Sequence, residues 1–286
     1  MTLRRLPLIS TLAGGGGDYA FNIVGKVGLA VILFWVVVAI TAPWIVPYPV
    51  GRIVDTDYFG PVSDQFWMGS DYLGRDMLSR VLMGTRYTVG IALAAVIIAC
   101  TSGVILGMIA AVTGGLFDML LSRFLDAFNG IPSLLFGLVV VAAVGSSIPV
   151  LVLTLAAIYM PGSYRFARAL AVNVNTMDFV TVARARGERT PYLILSEIFP
   201  NILGPVLADL GLRFVFVVLV LSGLSFLGLG VQPPEADWGA LVRENLEGLS
   251  LGAPAVIFPS AAIASLTISV NMLIDNLPRT IRDRSE

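Results

Sequence analysis

Residues that carry out most enzyme chemistry are nearly absent from this sequence of 286 residues. It contains no histidine, one cysteine (Cys100) and one lysine (Lys26). Histidine-dependent triads, HExxH zinc sites and histidine proton relays all need an imidazole as base or ligand. A phosphate-binding Walker A loop needs Gly-Lys followed by Ser or Thr, whereas Lys26 is followed by Val27. We therefore predict no catalytic residue, no metal site and no cofactor in this chain.

Two oppositely charged residues, Asp209 and Arg213, interrupt an otherwise apolar stretch. They are four positions apart, so they share one face of a helix, and the order Asp before Arg suits the helix dipole. Ionised groups in an apolar environment are costly unless they are paired or face water. We expect an internal ion pair that either locks its helix in place or lies on a solute pathway. Asp275, which closes the last apolar stretch, is a further candidate for the same roles.

The composition indicates that most of the chain lies in lipid. Hydrophobic residues make up 57% and charged residues 13%, with a mean hydropathy of +0.88, far from an ordinary soluble domain. A helical span needs about 20 largely apolar residues. We expect the fourth apolar stretch to continue beyond a kink at Pro161-Gly162, as residues 164–174. The six stretches of suitable length are 27–47, 88–112, 119–144, 147–162, 203–225 and 255–275.

The distribution of Lys and Arg predicts the orientation of these spans. Residues 1–26 hold three, residues 161–202 hold five and residues 276–286 hold three, and basic residues favour the cytoplasmic side. In the segments 48–87 and 226–254, acidic residues balance or outnumber arginines. We therefore expect both termini in the cytoplasm and these two segments outside. The net charge of −1 argues against nucleic-acid binding.

The cytoplasmic segment after the fourth stretch has the pattern of a helix, a turn and a second helix. Asp178 is placed to cap the first helix, and Gly187 to take a left-handed conformation that closes it. Pro191 suits the opening turn of the second helix, and we expect Pro200 to end it.

This segment resembles the EAA loop of ABC importer permeases, in which a small-residue helix is followed by Gly and then by an apolar helix ending in Pro. The matching positions are Ala183, Ala185, Gly187, Ile198 and Pro200. The sequence departs from the family where Thr181 and Val182 replace a usual Glu, and where Glu197 replaces a usual His. The resemblance implies that residues 181–187 dock into a cleft on an ATPase subunit; the alternative is a solvated loop between spans. The coupling candidates are Asp178, Thr181, Ala183, Ala185, Gly187, Glu197 and Pro200.

Two further segments are similar to motifs of dipeptide, oligopeptide and nickel permeases. Residues 68–86 resemble the LGTDxLGRDxxSRxxxGxR signature, and residues 224–239 resemble LSFLGLGxxPPxxxWG. From spacing alone, Asp76 lies near the start of a helix and can pair with Arg80. The signature residues are Gly69, Asp71, Gly74, Arg75, Asp76, Ser79, Arg80, Gly84 and Arg86.

Together the resemblances imply an all-α membrane protein with six transmembrane helices, a type I ABC importer permease fold with a cytoplasmic coupling helix, in the bacterial inner membrane. The implied partners are a second homologous permease, two ABC ATPase subunits that carry ATP and Mg²⁺, and a periplasmic substrate-binding protein. The implied cargo is a peptide, or else a nickel chelate, an opine or a sugar.

A secondary transporter is a different possibility, but it would be expected to show an internal repeat, and a channel would not need an apolar cytoplasmic helix pair. The predicted divisions are a tail (1–26), a first anchor (27–47), a periplasmic loop (48–87), a permease core (88–276) with coupling helices at 176–200, and a second tail (277–286).

Overall fold

The structure is a computed structural model that describes residues 22–55 and 57–276. Regular structure in these ranges is helical, apart from two isolated β-bridges that join Ile53 to Arg75 and Ser70 to Asp76. The predicted tail 277–286, and the part of the tail 1–26 that precedes residue 22, lie outside the described residues. The main helices are α1 (Ile23–Ile45), α2 (Met77–Thr113), α3 (Gly115–Asn129), α4 (Ser133–Val144), α5 (Ile148–Asn175), α6 (Asp178–Ala185), α7 (Thr190–Tyr192), α8 (Phe199–Phe226), α9 (Trp238–Glu244) and α10 (Ile257–Asp275).

Five helical segments are long and apolar enough to cross a membrane, and a bent pair makes a sixth if it counts as one span. The predicted third span, 119–144, is therefore not one helix: α3 and α4 are bent by 86° at residues 130–132. The break follows from local chemistry, because the residue before Pro132 is disfavoured in the α conformation. The predicted fourth stretch and its continuation form the single helix α5, which runs through Pro161.

The contacts between α2 and α5 decide how many times the chain crosses. Gly103 of α2 lies against Met160 and Tyr164 of α5, and Gly107 lies against Tyr164 and Arg168. The residue numbers rise together along both helices, so α2 and α5 are parallel. Two parallel spans require the intervening chain to return across the bundle. The bent pair α3–α4 therefore acts as one crossing, and the described chain crosses six times.

The remaining helices alternate in direction. Tyr159 and Gly162 of α5 meet Phe216 and Arg213 of α8 in reverse order. Gly28 and Trp35 of α1 contact α10 at residues whose numbers decrease as the numbers along α1 increase. Helices α1 and α10 are therefore antiparallel. One side of the bundle therefore carries the start of α1, the end of α10 and residues 176–198, which we name the hairpin. The other side carries residues 46–76 and 227–256, which we name the cap.

Helix α8 continues from the hairpin without a break, which corrects one prediction. Thr190–Phe226 is one helical span of 37 residues, and Pro200 lies within it instead of ending it. Residues Leu193–Ile198 form a π-helix, in which the Phe199 N–H bonds to the Ile194 carbonyl. The wider turn makes room for the proline ring, which in an α-helix would clash with the carbonyl four residues earlier.

Candidate functional site

The predicted helix–turn–helix is present in the hairpin. Helix α6 ends at Ala185, and Gly187 has a φ of 86°, the left-handed conformation that glycine adopts without a Cβ penalty. The Glu188 N–H closes the turn by bonding to the Ala183 carbonyl at 3.2 Å. Pro191 lies in the first turn of α7, as its fixed φ favours.

Helix α6 turns one side to the bundle and the other to the surroundings. Val180 and Ala183 are buried in an apolar cluster with α2, α5 and the π-helix. Phe179 and Val182 lie on the opposite side, and Val182 is 57% exposed. A partner can therefore reach Phe179 and Val182 but cannot reach the side chain of Ala183. Four of the predicted coupling residues in this part of the hairpin are exposed as well: Asp178, Thr181, Ala185 and Gly187.

The prediction that Asp178 caps this helix is wrong. The N-cap is Met177, and Asp178 is the first helical residue, where its carboxylate still faces the positive end of the helix dipole. Glu197 is half-buried within the π-helix and Pro200 is exposed beyond it.

Asn175 joins the hairpin to two spans. Its side-chain NH₂ donates to the Ala111 carbonyl of α2 at 3.2 Å, and its side-chain oxygen accepts from Arg184 of α6 at 2.9 Å. Only Thr176 and Met177 separate α5 from α6. The orientation of α6 is thus fixed relative to the parallel pair α2–α5.

In the cap, the signature segment opens helix α2. The Asp76 carboxylate accepts from the Ser79 N–H at 2.8 Å and from the Ser79 hydroxyl at 2.5 Å, which confirms its place at the helix start. The predicted Asp76–Arg80 pair is wrong, because Ser79 takes up this carboxylate and the Arg80 guanidinium turns to Asp71 at 2.7 Å.

Arg80 belongs to a four-membered ionic network. The Oδ2 atom of Asp71 accepts from Arg75 at 2.6 Å and from Arg80 at 2.7 Å, and Oε2 of Glu244 accepts from Arg80 at 2.7 Å and from Arg75 at 3.1 Å. The four side chains are largely buried, and two negative charges balance two positive ones. Breaking a buried pair of this kind typically costs about 3–5 kcal/mol. The network therefore fixes the signature segment to α9, more than 160 residues later in the chain.

The signature glycines make close approaches of the chain possible. Gly69 and Gly74 have φ values of 71° and 73°, and a Cβ at Gly69 would lie 2.5 Å from the Gly60 carbonyl. Gly84 leaves room for the Trp238 ring, which would lie 3.1 Å from an added Cβ. Arg86 lies exposed on α2.

Asp237, from the third motif, organises the chain after α8. Its Oδ2 atom accepts from the Ser225 hydroxyl at 2.7 Å and the Val231 N–H at 3.1 Å, while Oδ1 accepts from the N–H groups of Gly239 and Ala240 at 2.8 and 3.2 Å. The carboxyl is fully buried, and this burial raises its pKa more than the four donors lower it. One side chain thus caps α9 and closes the preceding loop.

The Asp209–Arg213 pair forms as predicted. Nε of Arg213 lies 2.6 Å from Oδ2 of Asp209, and Nη1 of Arg213 lies 3.4 Å from the Tyr159 carbonyl of α5. A Cβ at Gly162 would meet the same guanidinium at 2.5 Å. The contact with α5 supports a lock between two spans, although both side chains stay partly exposed. Asp275 is exposed at the end of α10.

Sequence reasoning missed a second ion pair within the spans. Asp118 of α3 bonds to Arg168 of α5, and the Tyr164 hydroxyl lies 2.8 Å from that of Ser122. Leu125 is the one buried residue of α3 in the described structure, so these polar contacts are a main tie between α3 and α5. The charge of Asp118 beside an apolar stretch was the sequence feature from which the Asp118–Arg168 pair could have been predicted. Within the described ranges, no group of three or more His, Cys, Asp or Glu is placed to hold a metal ion.

A six-crossing helical bundle with a structured cap on one side and an exposed helical hairpin on the other is the architecture expected of a membrane permease. The chain belongs to the family of binding-protein-dependent transport system inner membrane components, which it matches over residues 103–283. It is a permease of an ABC importer.

Several permeases of named peptide transport systems are similar over most of the chain. The dipeptide transport system permease protein DppC of Alkalihalophilus pseudofirmus is 30% identical over 256 residues, which cover 90% of this chain and 84% of the relative. The di/tripeptide transport system permease protein DppC of Pseudomonas aeruginosa is 31% identical, covering 91% and 88%. The glutathione transport system permease protein GsiD of Pectobacterium atrosepticum is 31% identical, covering 87% and 83%.

Proposed function

We propose that this permease forms, with a second homologous permease, the translocation pathway for short peptides delivered by a periplasmic binding protein. The names of the three relatives support this cargo, since dipeptides, tripeptides and glutathione are all short peptides. A nickel chelate, an opine or a sugar is the alternative cargo. ATP and Mg²⁺ bind on separate ATPase subunits.

The hairpin faces the cytoplasm in this proposal, and the cap faces outwards. The concentration of arginines at 161–202 supports the orientation, because basic residues favour the cytoplasmic side of a bacterial membrane. Since the described ends of α1 and α10 share the hairpin side, the same orientation places both termini in the cytoplasm.

The observation that carries the ATPase assignment is the exposed apolar side of α6. Phe179 and Val182 are exposed on a short helix that stands in a basic, water-facing hairpin with Arg186 and Arg189. Apolar side chains grouped in such a setting mark an interaction site. We assign this surface to the ATPase subunit.

The packing of α5 supplies a route for coupling. This helix runs unbroken from the cap side to the hairpin, packs against α2 at Gly103 and Gly107, and is joined to α6 through Asn175. A displacement of α6 therefore moves α2 and α5 together. ATP-driven closure of the ATPase pair would bias the two permeases between inward-open and outward-open states.

We place the translocation pathway along the exposed side of α8. Leu212, Phe216 and Leu219 are exposed along this helix, and a groove of about 550 Å³ lies between α8, α9 and α10 at the cap side. The second permease would face this side, next to the Asp209–Arg213 pair.

Matched substitutions on the two sides of the bundle test the ATPase assignment. Val182 and Val62 are 57% and 56% exposed, the former on α6 and the latter in the cap. Because both side chains are exposed, Val182→Glu and Val62→Glu should leave the fold intact. We expect Val182→Glu to lose the ATPase subunits on co-purification and Val62→Glu to retain them. Retention of the ATPase subunits by Val182→Glu would overturn the assignment, and solute uptake in their absence would favour a channel or a secondary transporter.

A further inference from the structure

Helix α3 is held to the bundle by few apolar contacts. Leu125 is its one buried residue in the part of the chain that the structure describes. The large apolar side chains on another side of α3 are exposed, which suits a side that faces lipid: Leu116, Leu120 and Phe124. A segment that buries so little apolar surface moves at a low cost in free energy.

Both ends of α3 have the features of a hinge. Gly114 and Gly115 join α2 to α3 with φ values of 59° and 64°, and a Cβ at either would meet no described heavy atom within 4 Å. At its other end α3 turns by 86° into α4 at residues 130–132. Hinge motions are absorbed by a few residues at the ends of elements. Helix α3 is therefore a rigid segment between two joints.

A cluster of polar side chains ties this segment to α5. The carboxylate of Asp118 accepts from Nε and Nη2 of Arg168 with its two oxygens. The Ser122 and Tyr164 hydroxyls lie 2.8 Å apart, and each lies 3.4 Å from Oδ1 of Asp118. We name these four residues the latch. The side chains of Asp118 and Arg168 are 17% and 34% exposed, so water can reach the pair and replace its bonds.

The joint between α3 and α4 lies at membrane depth and is exposed. Asn129 and Ser133 line a small cavity together with Ile158 of α5. Ile158 is ten residues from the start of α5 and seventeen from its end, or about 15 and 25 Å. Residues 129–133 are all exposed, and no described side chain caps α4. Irregular backbone at this depth is tolerated only against protein or in a water-filled cavity.

Charged side chains continue this water-facing side of α3 towards the hairpin. Arg123 and Asp126 are exposed and precede the joint at helical spacing. Asp126 lies 3.6 Å from Arg165 of α5, and both side chains are 53% exposed. Exposed charges within a span face water and not lipid. Gly162, three residues before Arg165, meets the guanidinium of Arg213. Helices α3 and α5 therefore border a water-filled cavity that reaches Arg213.

We propose that α3 is a hinged wall of this cavity and that the latch holds it in one of two positions during transport. When the latch opens, Asp118 and Arg168 exchange their mutual bonds for bonds to water, and α3 swings away from α5 about its two joints. The cavity then widens while the packing of α2 against α5 is kept. For the driving force alone this rests on the function proposed above: displacement of α6, at the end of α5, biases the latch.

Distances between spin labels test the movement directly. The permease complex with its ATPase subunits is reconstituted in nanodiscs in a Cys100→Ala background. Ile97→Cys on α2 is labelled together with Phe124→Cys on α3, and the matched control pairs Ile97→Cys with Leu153→Cys on α5; all three native side chains are exposed. Between the nucleotide-free state and the state trapped with ATP and vanadate, we expect the α2–α3 distance to change by about 5 Å and the α2–α5 distance to stay constant.

Two asparagine variants separate a latch from a merely structural contact. Asp118→Asn keeps the shape of the side chain and removes its charge. Without nucleotide, it should raise the ratio of the open to the closed position about tenfold. Asp126→Asn weakens only the exposed pair with Arg165 and should leave this ratio within twofold of the wild type. A lower melting temperature of Asp118→Asn with an unchanged ratio would show that the contact is structural and would overturn the latch.

The outcomes keep the two proposals apart. If the complex retains ATPase subunits that hydrolyse ATP and the α2–α3 distance is the same in every state, the hinged wall is wrong and the proposed function stands. If no ATPase subunit is retained but Asp118→Asn still shifts the ratio, the proposed function fails and the latch stands. Equal changes at both label pairs would mean that the whole bundle rearranges, and would overturn the hinge. If Asp118→Asn does not fold, the distances in the otherwise unaltered complex decide.

Discussion

The contact between α2 and α5 is the best place to test the architecture, because two glycines control it. A Cβ at Gly103 would lie 2.8 Å from the carbonyl oxygen of Met160 and the same distance from the backbone nitrogen of Tyr164. A Cβ at Gly107 would lie 2.7 Å from the Tyr164 carbonyl oxygen and 2.9 Å from the backbone nitrogen of Arg168. Backbone atoms cannot rotate away, so Gly103→Ala and Gly107→Ala must push the two helices apart.

The cost follows from the missing space. Ordinary contacts of a Cβ begin at 3.4 Å, so each alanine lacks about 0.6–0.7 Å, enough to weaken the dispersion contacts around it. Overpacking of this kind costs about 1–3 kcal/mol, and the better helix propensity of alanine offsets up to about 1 kcal/mol of that. We expect a net destabilisation of about 1–2 kcal/mol for each variant. The double variant should cost less than the sum, because one separation of the helices accommodates both methyl groups.

Gly90→Ala is the matched control on the same helix. No described heavy atom outside the local helix backbone lies within 4 Å of a Cβ at this position, so only the gain in propensity remains. Both variants gain the same helix propensity, so they differ by the overpacking cost of about 1–3 kcal/mol, and thermal unfolding in detergent should show a fall of about 2–12 °C for Gly107→Ala relative to Gly90→Ala. A Gly107→Ala protein that melts at or above the temperature of Gly90→Ala would refute the parallel packing of α2 and α5, and with it the argument that α3–α4 returns the chain across the bundle.

Three further predictions concern the ion pair, the cap and the orientation. If Asp209 and Arg213 form a lock, Asp209→Ala should lower the yield of folded protein by leaving Arg213 unpaired, and the swap Asp209→Arg with Arg213→Asp should restore much of it together with uptake. Normal yield of Asp209→Ala with altered substrate preference would instead place the pair on the pathway. Asp237→Asn should reduce stability in thermal unfolding by about 1–3 kcal/mol, since an amide NH₂ cannot accept from the Val231 N–H; an unchanged melting temperature would mean that another group accepts this bond. In a Cys100→Ala background, an impermeant thiol reagent should label Val62→Cys in intact cells but not Asp178→Cys, and labelling of the latter would reverse the proposed orientation.

The sequence determined those features that depend on neighbours along the chain. Long apolar stretches cannot be satisfied outside lipid, so composition predicted six spans, and the parallel packing of α2 and α5 then showed that the bent pair α3–α4 is one of them. A spacing of four residues on one helix brought Asp209 and Arg213 together. The need for a left-handed residue after α6 identified Gly187.

Tertiary structure decided every choice among competing partners and every question of which way a residue faces. Arg80 had one acid within helical reach, Asp76, yet it bonds Asp71 and Glu244 because Ser79 occupies Asp76 and because α9 packs against the start of α2. Helical spacing also could not show that Ala183 faces the bundle while Val182 faces outwards, since that depends on how the hairpin packs against α2 and α5. Local chemistry sets which contacts are possible. The packing of distant segments selects the contacts that form, and the sequence does not indicate which distant segments will meet.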